Sequence, residues 1–122
     1  MKNVILYCRV NTVINKDGLE GQETALREFC KRNKLNVVVC VHEICSANLM
    51  DKPQLTQVYN LCKDGVVHID HILCTTLSRL TRDGIMGIEY MQRFKNVGTE
   101  IATIEGAKYE NLFFAFGGYE NN

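Results

Sequence analysis

Residues 4–12 read Val-Ile-Leu-Tyr-Cys-Arg-Val-Asn-Thr, and this stretch decides the fold. Alternate side chains of a β-strand lie on opposite faces, so Tyr7, Arg9 and Asn11 are predicted to project together near the end of the strand. Open α/β sheets bind ligands at the carboxyl ends of their strands, where loops and helix amino termini converge. An arginine at that end indicates an anionic substrate. On this stretch alone, an ordinary first strand whose polar residues reach solvent is the alternative.

Three further strands and three helices are predicted after this first strand. Apolar residues at helical spacing predict the helices, and β-branched runs predict the strands. Right-handed crossovers in the order βαβαβαβ give an α/β fold with a mostly parallel four-stranded sheet, helices on both faces and all strand carboxyl ends on one edge. The later strands are predicted at Asn36–His42, Ile69–Thr75 and Glu100–Ile104, and the helices at Leu19–Asn33, between Asp51 and Gly65, and at Asp83–Val97.

Several local expectations rest on single patterns. The continuous apolar character of the Asn36–His42 run predicts a strand covered on both faces. Asp51 is predicted to cap the second helix, with Pro53 in its first turn. Gln22 lies beside the apolar stripe of the first helix, and packing by its stem is favoured over a reach to the strand-end site. The inner stripe of the third helix is predicted to be Ile85, Ile88, Met91 and Phe94.

Length, charge and hydropathy limit the class of protein. A chain of 122 residues fits one compact domain. Acidic and basic residues number 14 each, so no overall field would hold the molecule on a phosphate backbone. The apolar runs are far shorter than the roughly 20 residues that span a bilayer, and no charged-then-apolar leader opens the chain. A soluble, cytoplasmic protein without membrane contact is therefore predicted.

Neither a metal nor a cofactor is predicted. The six cysteines lack CxxC pairs and are expected to be reduced thiols that pack as small hydrophobes. His68 and Cys74 would share one face of the third strand while His71 points to the other, and Cys40 and Cys45 conflict in the same way. No GxxxxGK[ST] or GxGxxG loop follows a strand, which excludes the usual nucleotide cradles.

Three guanidinium groups are predicted to face the same crevice. Arg9 ends the first strand, and Arg79 and Arg82 lie three residues apart where the third strand leads into the third helix. Planar and permanently charged groups suit a phosphate oxyanion, both for binding and for the charge that develops in phosphoryl transfer. A helix start with solvated charges is the alternative interpretation of the second pair.

Taken together, these residues resemble the catalytic domain of the serine recombinases, the resolvase/invertase family. The resemblance spans about residues 1–106, in order and at matching intervals, which is far more specific than any single motif. It is carried by Tyr7-x-Arg9-Val10-Asn11-Thr12, Gln22-x-x-Ala25-Leu26, Glu43 followed by Ser46, Asp51-Lys52-Pro53-x-Leu55 and Ser78-Arg79-Leu80-x-Arg82-Asp83.

The resemblance implies a mechanism and a set of roles. The family cuts DNA by serine attack on a phosphodiester, forms a 5′-phosphoserine link and exchanges strands by subunit rotation in a tetramer. By resemblance, Arg9, Arg79 and Arg82 would clamp the scissile phosphate. The supporting positions would be Tyr7 and Gln22, and Glu43 would occupy the family's acidic position.

Asn11 occupies the position of the nucleophile, and it is the most informative departure from the family. A carboxamide has no ionisable hydroxyl and its nitrogen is delocalised, so the covalent step loses its attacking atom. Lys52 stands where the family usually has arginine, which keeps the charge but loses the bidentate fork. Ser78 replaces an acid found in many small resolvases.

The end of the chain is also expected to differ from the family. Residues 107–122 are predicted to be a short tail in place of the long dimerisation helix, with no DNA-binding domain after them. Binding to the DNA phosphate backbone would then be weak for the chain alone.

Three functional hypotheses follow. The first is a catalytic-domain homologue that cannot cleave DNA alone and acts, if at all, with an intact recombinase or as a homo-oligomer. The second is an active recombinase or nickase that uses another hydroxyl; Thr12 is adjacent but predicted to point away from Arg9, and Cys8 is predicted to point into the core. The third is a non-catalytic interaction module or mobile-element remnant.

Overall fold

The computed structural model describes residues 1–15 and 17–104. Four parallel strands form one sheet: β1 (Asn3–Val10), β2 (Asn36–Ile44), β3 (His71–Cys74) and β4 (Glu100–Thr103). Their order across the sheet is β2-β1-β3-β4. The helices are α1 (Asp17–Arg32), α2 (Pro53–Asp64), α3 (Leu77–Leu80) and α4 (Gly84–Lys95), and a turn of 3-10 helix covers Val13–Asn15.

The predicted architecture is confirmed. The strands, their parallel direction and the alternation with helices agree with the sequence patterns, apart from the separate short helix α3. The predicted tail over residues 107–122 lies outside the described residues. None of the described helices combines the length and the apolar character needed to cross a membrane.

The core has two halves, one on each face of the sheet. Every residue of β1 after Asn3 is buried. Leu6 and Cys8 lie on one face and pack with the apolar residues of α1. Ile5 and Tyr7 lie on the other and pack with α2, α3 and α4. The alternation predicted for the first strand therefore puts helices on both faces, as expected.

β2 is not covered on both faces, so that expectation was wrong. The strand lies at an edge of the sheet, and Val38, Val39 and Ile44 are 37%, 39% and 44% exposed. Valine is favoured in strands because its branched side chain suits a pleated surface, even where burial is partial. A continuous valine run therefore predicts a strand without telling whether it is central.

The amino terminus of α2 is capped from another element. Lys52 is the N-cap residue and its side chain makes no capping bond. The Glu43 carboxylate, at the end of β2, instead accepts the backbone N–H groups of Gln54 and Leu55 at 2.7 and 3.1 Å. The predicted cap by Asp51 was therefore wrong, because a carboxylate from β2 already satisfies these donors.

α4 packs through a face other than the predicted one. Ile85 and Ile88 are 74% and 68% exposed, and Met91 is 41% exposed. The buried face consists of Gly87, Tyr90 and Phe94, so only Phe94 of the predicted inner stripe was right. A Cβ added at Gly87 would lie 3.3 Å from the Thr81 side chain, so this glycine allows close contact. Because glycine has no apolar side chain to add to a helical pattern, the periodicity predicted the wrong face.

Candidate active site

An open pocket of about 430 Å³ lies at the carboxyl end of β1. Arg9, Asn11, Arg79 and Arg82 all line it. The three arginines that the sequence predicted to face one crevice therefore do meet. The remaining lining residues are Val10, Ile14, Asn15, Asp17 and Gly18, from the β1–α1 connection and the start of α1.

The topology explains where the pocket opens. β1 pairs with β2 as far as Val10, but its pairing with β3 ends at Leu6. After β3 the chain turns into the short helix α3, which carries Arg79. The divergence of the two central strands leaves room at the end of β1, as at the ligand crevices of other open α/β sheets.

Arg9 is almost completely buried, with 1% of its surface exposed. Nε donates to the Arg79 carbonyl at 2.6 Å and Nη2 to the Ser78 carbonyl at 2.9 Å. Nη1 donates to the Cys45 carbonyl at 2.7 Å and to Asn11 Oδ1 at 2.5 Å. These bonds use four of its five N–H groups. Arg9 therefore holds two segments, at Cys45 and at Ser78–Arg79, and the Asn11 side chain in place, with one N–H group left over.

Arg79 retains more donor capacity. Its Nε is buried and has no hydrogen-bond partner among the described residues, and its Nη1 lies 3.5 Å from the Arg9 carbonyl, the weak limit of such a bond. Buried donors without partners are rare in folded proteins and call for an explanation. Arg79 lines the pocket, so the N–H groups at the end of its side chain suit an anion there.

The electrostatics of the pocket also favour an anion. Burial lowers the pKa of Arg9, and the neighbouring charges of Arg79 and Arg82 act in the same direction. Arg82 is exposed at the rim. Like charges that line one pocket repel each other, and a bound oxyanion would relieve that repulsion.

Gln22 reaches the end of the strand. Its Oε1 accepts the Arg9 backbone N–H and its Nε2 donates to the Arg9 carbonyl, both at 3.0 Å. The Gln22 amide thus provides hydrogen-bond partners for the backbone of β1 beyond the point where its pairing with β3 ends. The favoured interpretation, packing by its stem, was wrong; Gln22 supports the backbone that carries Arg9.

Tyr7 and Glu43 lie behind the pocket rather than in it. The Tyr7 hydroxyl donates to Glu43 Oε1 at 2.8 Å, and the same carboxylate caps α2. Burial, reinforced by Glu43, raises the pKa of Tyr7 well above its usual range, so the phenol stays protonated. The pair connects β1, β2 and α2.

Lys52 is also turned away from the pocket. It is fully buried, and its Nζ donates to the Ala47 carbonyl at 2.9 Å, the Leu49 carbonyl at 2.5 Å and the Tyr90 hydroxyl at 3.0 Å. Burial lowers its pKa. The eight predicted site residues therefore divide into four that line the pocket and four that hold its surroundings.

A sequence model of the family described as "Resolvase, N terminal domain" matches residues 4–115. The chain belongs to the resolvase family. The resemblance predicted from its motifs is thereby confirmed. Among curated proteins, no sequence match was found.

Solved structures show the same fold as this resolvase-family chain. The C-terminal catalytic domain of ISC1926 TnpA, an IS607-like serine recombinase, superposes with a TM-score of 0.77 at 24% identity, covering 93% of this chain and 79% of that domain. The N-terminal catalytic domain of TP901-1 integrase gives 0.75 at 16% identity, covering 98% and 95%. A resolvase family site-specific recombinase from Streptococcus pneumoniae gives 0.74 at 20%, covering 99% and 87%.

Sequence reasoning missed several groups of the resolvase-family site. The backbone carbonyls of Cys45, Ser78 and Arg79 accept hydrogen bonds from Arg9. Every residue has a carbonyl, so the pattern of side chains does not indicate which ones will be used. Asp17 brings a carboxylate to the pocket lining, and its place in the connection after the first strand was a usable signal. Tyr90, which accepts from Lys52, lies in none of the motifs that predicted the site.

Proposed function

We propose that this resolvase-family domain binds a DNA phosphodiester in the arginine pocket and that Asn11, in the nucleophile position, leaves it unable to cleave DNA by itself. One observation carries the proposal: the Asn11 carboxamide accepts a hydrogen bond from Arg9 inside a pocket that Arg79 and Arg82 also line. A group at that place would face a phosphate held by the guanidiniums, but an amide oxygen cannot form the phosphoserine bond.

The arginines would divide the work. Arg79, which lines the pocket and whose Nη1 is only weakly bonded at 3.5 Å, would contact the phosphate most directly, and the exposed Arg82 would add charge at the rim. Arg9 would contribute one remaining N–H and hold Asn11. Tyr7, Gln22, Glu43 and Lys52 would act as supports, with residues 1–106 forming the catalytic-domain-like unit.

Association with a second recombinase chain would complete the site. The solved relatives include recombinases and an integrase, and an intact recombinase partner would bring a nucleophilic serine, which a second copy of this chain would not. The exposed Ile85 and Ile88 on α4 offer apolar surface of the kind that protein contacts bury.

A covalent-adduct assay tests the missing nucleophile. The unmodified chain, Asn11→Ser and Asn11→Ala are incubated with nicked duplexes of randomised sequence, and adducts that survive detergent are separated on denaturing gels. We expect adducts from Asn11→Ser alone, because its hydroxyl restores the attacking group. An adduct from the unmodified chain would refute the proposal and favour another hydroxyl, such as Thr12.

A binding assay tests the pocket itself. Arg79→Gln and Arg82→Gln are each expected to weaken duplex binding at low salt and to reduce the slope of log affinity against log salt by about one, as the loss of one phosphate contact does. Lys31→Gln and Lys63→Gln, at exposed positions on α1 and α2, remove the same charge elsewhere. Equal losses in all four variants would show binding without a role for the pocket.

A further inference from the structure

Three side chains of the metal-ligand type converge on the α1 side of the sheet. Cys8 from β1 meets Cys40 and His42 from β2, and one ligand atom of each lies within 4.8 Å of the other two. The sulfur atoms of Cys8 and Cys40 are 3.9 Å apart. Two thiolates bound to one tetrahedral zinc ion at about 2.3 Å lie about 3.8 Å apart, so the sulfur positions already fit such an ion.

The register of the sheet produces this convergence. Cys8 is directly opposite His42, and Leu6 is opposite Cys40. Because Cys40 and His42 are two residues apart on one strand, they share a face. Ligand spacing along one strand does not show this set, because it combines residues of two neighbouring strands.

Glu23, on α1, lies beside His42. Its Oε1 lies 2.7 Å from His42 Nε2, and its Oε2 accepts from Arg27 Nε at 2.7 Å. A carboxylate beside a histidine is what zinc sites use, either as a ligand or to orient the ring.

We propose that Cys8, Cys40, His42 and Glu23 form a binding site for Zn²⁺ that fastens α1 to the edge strand β2. Two sulfur donors and an imidazole favour zinc over the oxygen-seeking Mg²⁺ and Ca²⁺. Binding converts both thiols to thiolates and releases their two protons to solvent. With its ligands drawn from three elements, the ion would stabilise an edge that the core covers only in part.

The zinc site is separate from the arginine pocket. Cys8 and Arg9 are consecutive on β1 and point to opposite faces, and none of the four proposed ligands lines the pocket. Loss of DNA binding would therefore leave the zinc proposal standing, and the reverse also holds.

Cobalt substitution gives a direct test on the full reduced chain under anaerobic conditions. Co²⁺ is titrated into the metal-free protein, and absorption is followed in the thiolate charge-transfer region and in the visible bands of tetrahedral cobalt. We expect saturation at one equivalent, and loss of the bands when one equivalent of Zn²⁺ is added. Absence of charge-transfer absorption at one equivalent would overturn the proposal.

Variants at the less buried ligands identify the site without endangering the fold. Cys40 is half-buried and His42 exposed, so Cys40→Ser and His42→Asn should stay folded by circular dichroism while losing the tetrahedral cobalt spectrum. Glu23→Gln should weaken Zn²⁺ binding about 10–100-fold. Cys45→Ser, at a half-buried cysteine outside the cluster, should match the parent. Parent-like spectra from Cys40→Ser and His42→Asn would show that the metal binds elsewhere.

Discussion

Main-chain groups, more than other side chains, hold the buried polar residues around the pocket. Arg9 and Lys52 donate mostly to carbonyls, Glu43 accepts mainly backbone N–H groups, and Gln22 pairs with the backbone of Arg9. Buried charges are tolerated when such bonds replace water. Each of these side chains therefore fixes a loop or a helix end, and substitutions there should be measured first as changes in stability.

Glu43→Gln should destabilise the fold because it removes the charge that caps α2 from β2. The glutamine keeps one acceptor oxygen but faces Tyr7 or the helix N–H groups with an NH₂ group, so we expect a loss of about 1–3 kcal/mol in the free energy of unfolding. Asp51→Asn, at the exposed residue that the sequence favoured as the cap, should change it by less than about 0.5 kcal/mol. Urea denaturation measures both, and a larger effect at Asp51 would contradict the capping described here.

At the scale of single elements, the buried face of α4 differs from the face that its apolar periodicity predicts. Its apolar residues include Ile85 and Ile88, which face solvent, whereas the packed face includes Gly87. Helical periodicity is detected from large apolar side chains. It therefore does not reveal a close contact at a glycine, which has no side chain. The type and approximate bounds of the helix were predictable; its rotation about its own axis was not.

Paired substitutions on α4 test that rotation. Ile88→Lys should change the free energy of unfolding by less than about 0.5 kcal/mol, because the side chain is already exposed. Phe94→Ala should cost about 3–5 kcal/mol, because Phe94 is buried between α4 and the sheet. Thermal and urea unfolding measure the free energy of unfolding of both variants. A larger loss for Ile88→Lys than for Phe94→Ala would contradict the buried face described for α4.

For the whole molecule, the element order and the parallel direction of the strands could be predicted from the sequence. Alternating strand and helix patterns are compatible with few chain topologies. The meeting of Arg9, Arg79 and Arg82 was predicted from that order together with the resemblance to the serine recombinases. The sheet order β2-β1-β3-β4 did not follow, since a valine run suits an edge strand and a central strand alike. Features that depend on the sheet order could therefore not be predicted from the sequence. They include the exposure of β2 and the Cys8–Cys40–His42 cluster.

Buried thiols on both sides of the sheet should make the whole fold sensitive to alkaline pH. Burial raises the pKa of Cys30 from 9.0 to about 11 and that of Cys74 to about 12. In the unfolded chain these thiols ionise first, so above pH 9 the unfolded state binds fewer protons and stability falls as the pH rises towards the folded-state values. Below pH 9 their full contribution is present.

Cys74→Ala separates this effect from simple loss of packing. The variant should be less stable than the parent at pH 7, yet its free energy of unfolding should decline less between pH 9 and 12, by an amount on the order of a few kcal/mol. Leu73→Ala, at the neighbouring fully buried residue, leaves a cavity without removing an ionisable group and should keep the parent's slope. Lys52, whose pKa burial lowers, opposes the decline equally in all three proteins. Urea denaturation at each pH gives the slopes, and parallel curves for Cys74→Ala and the parent would show that this thiol does not set the alkaline limit.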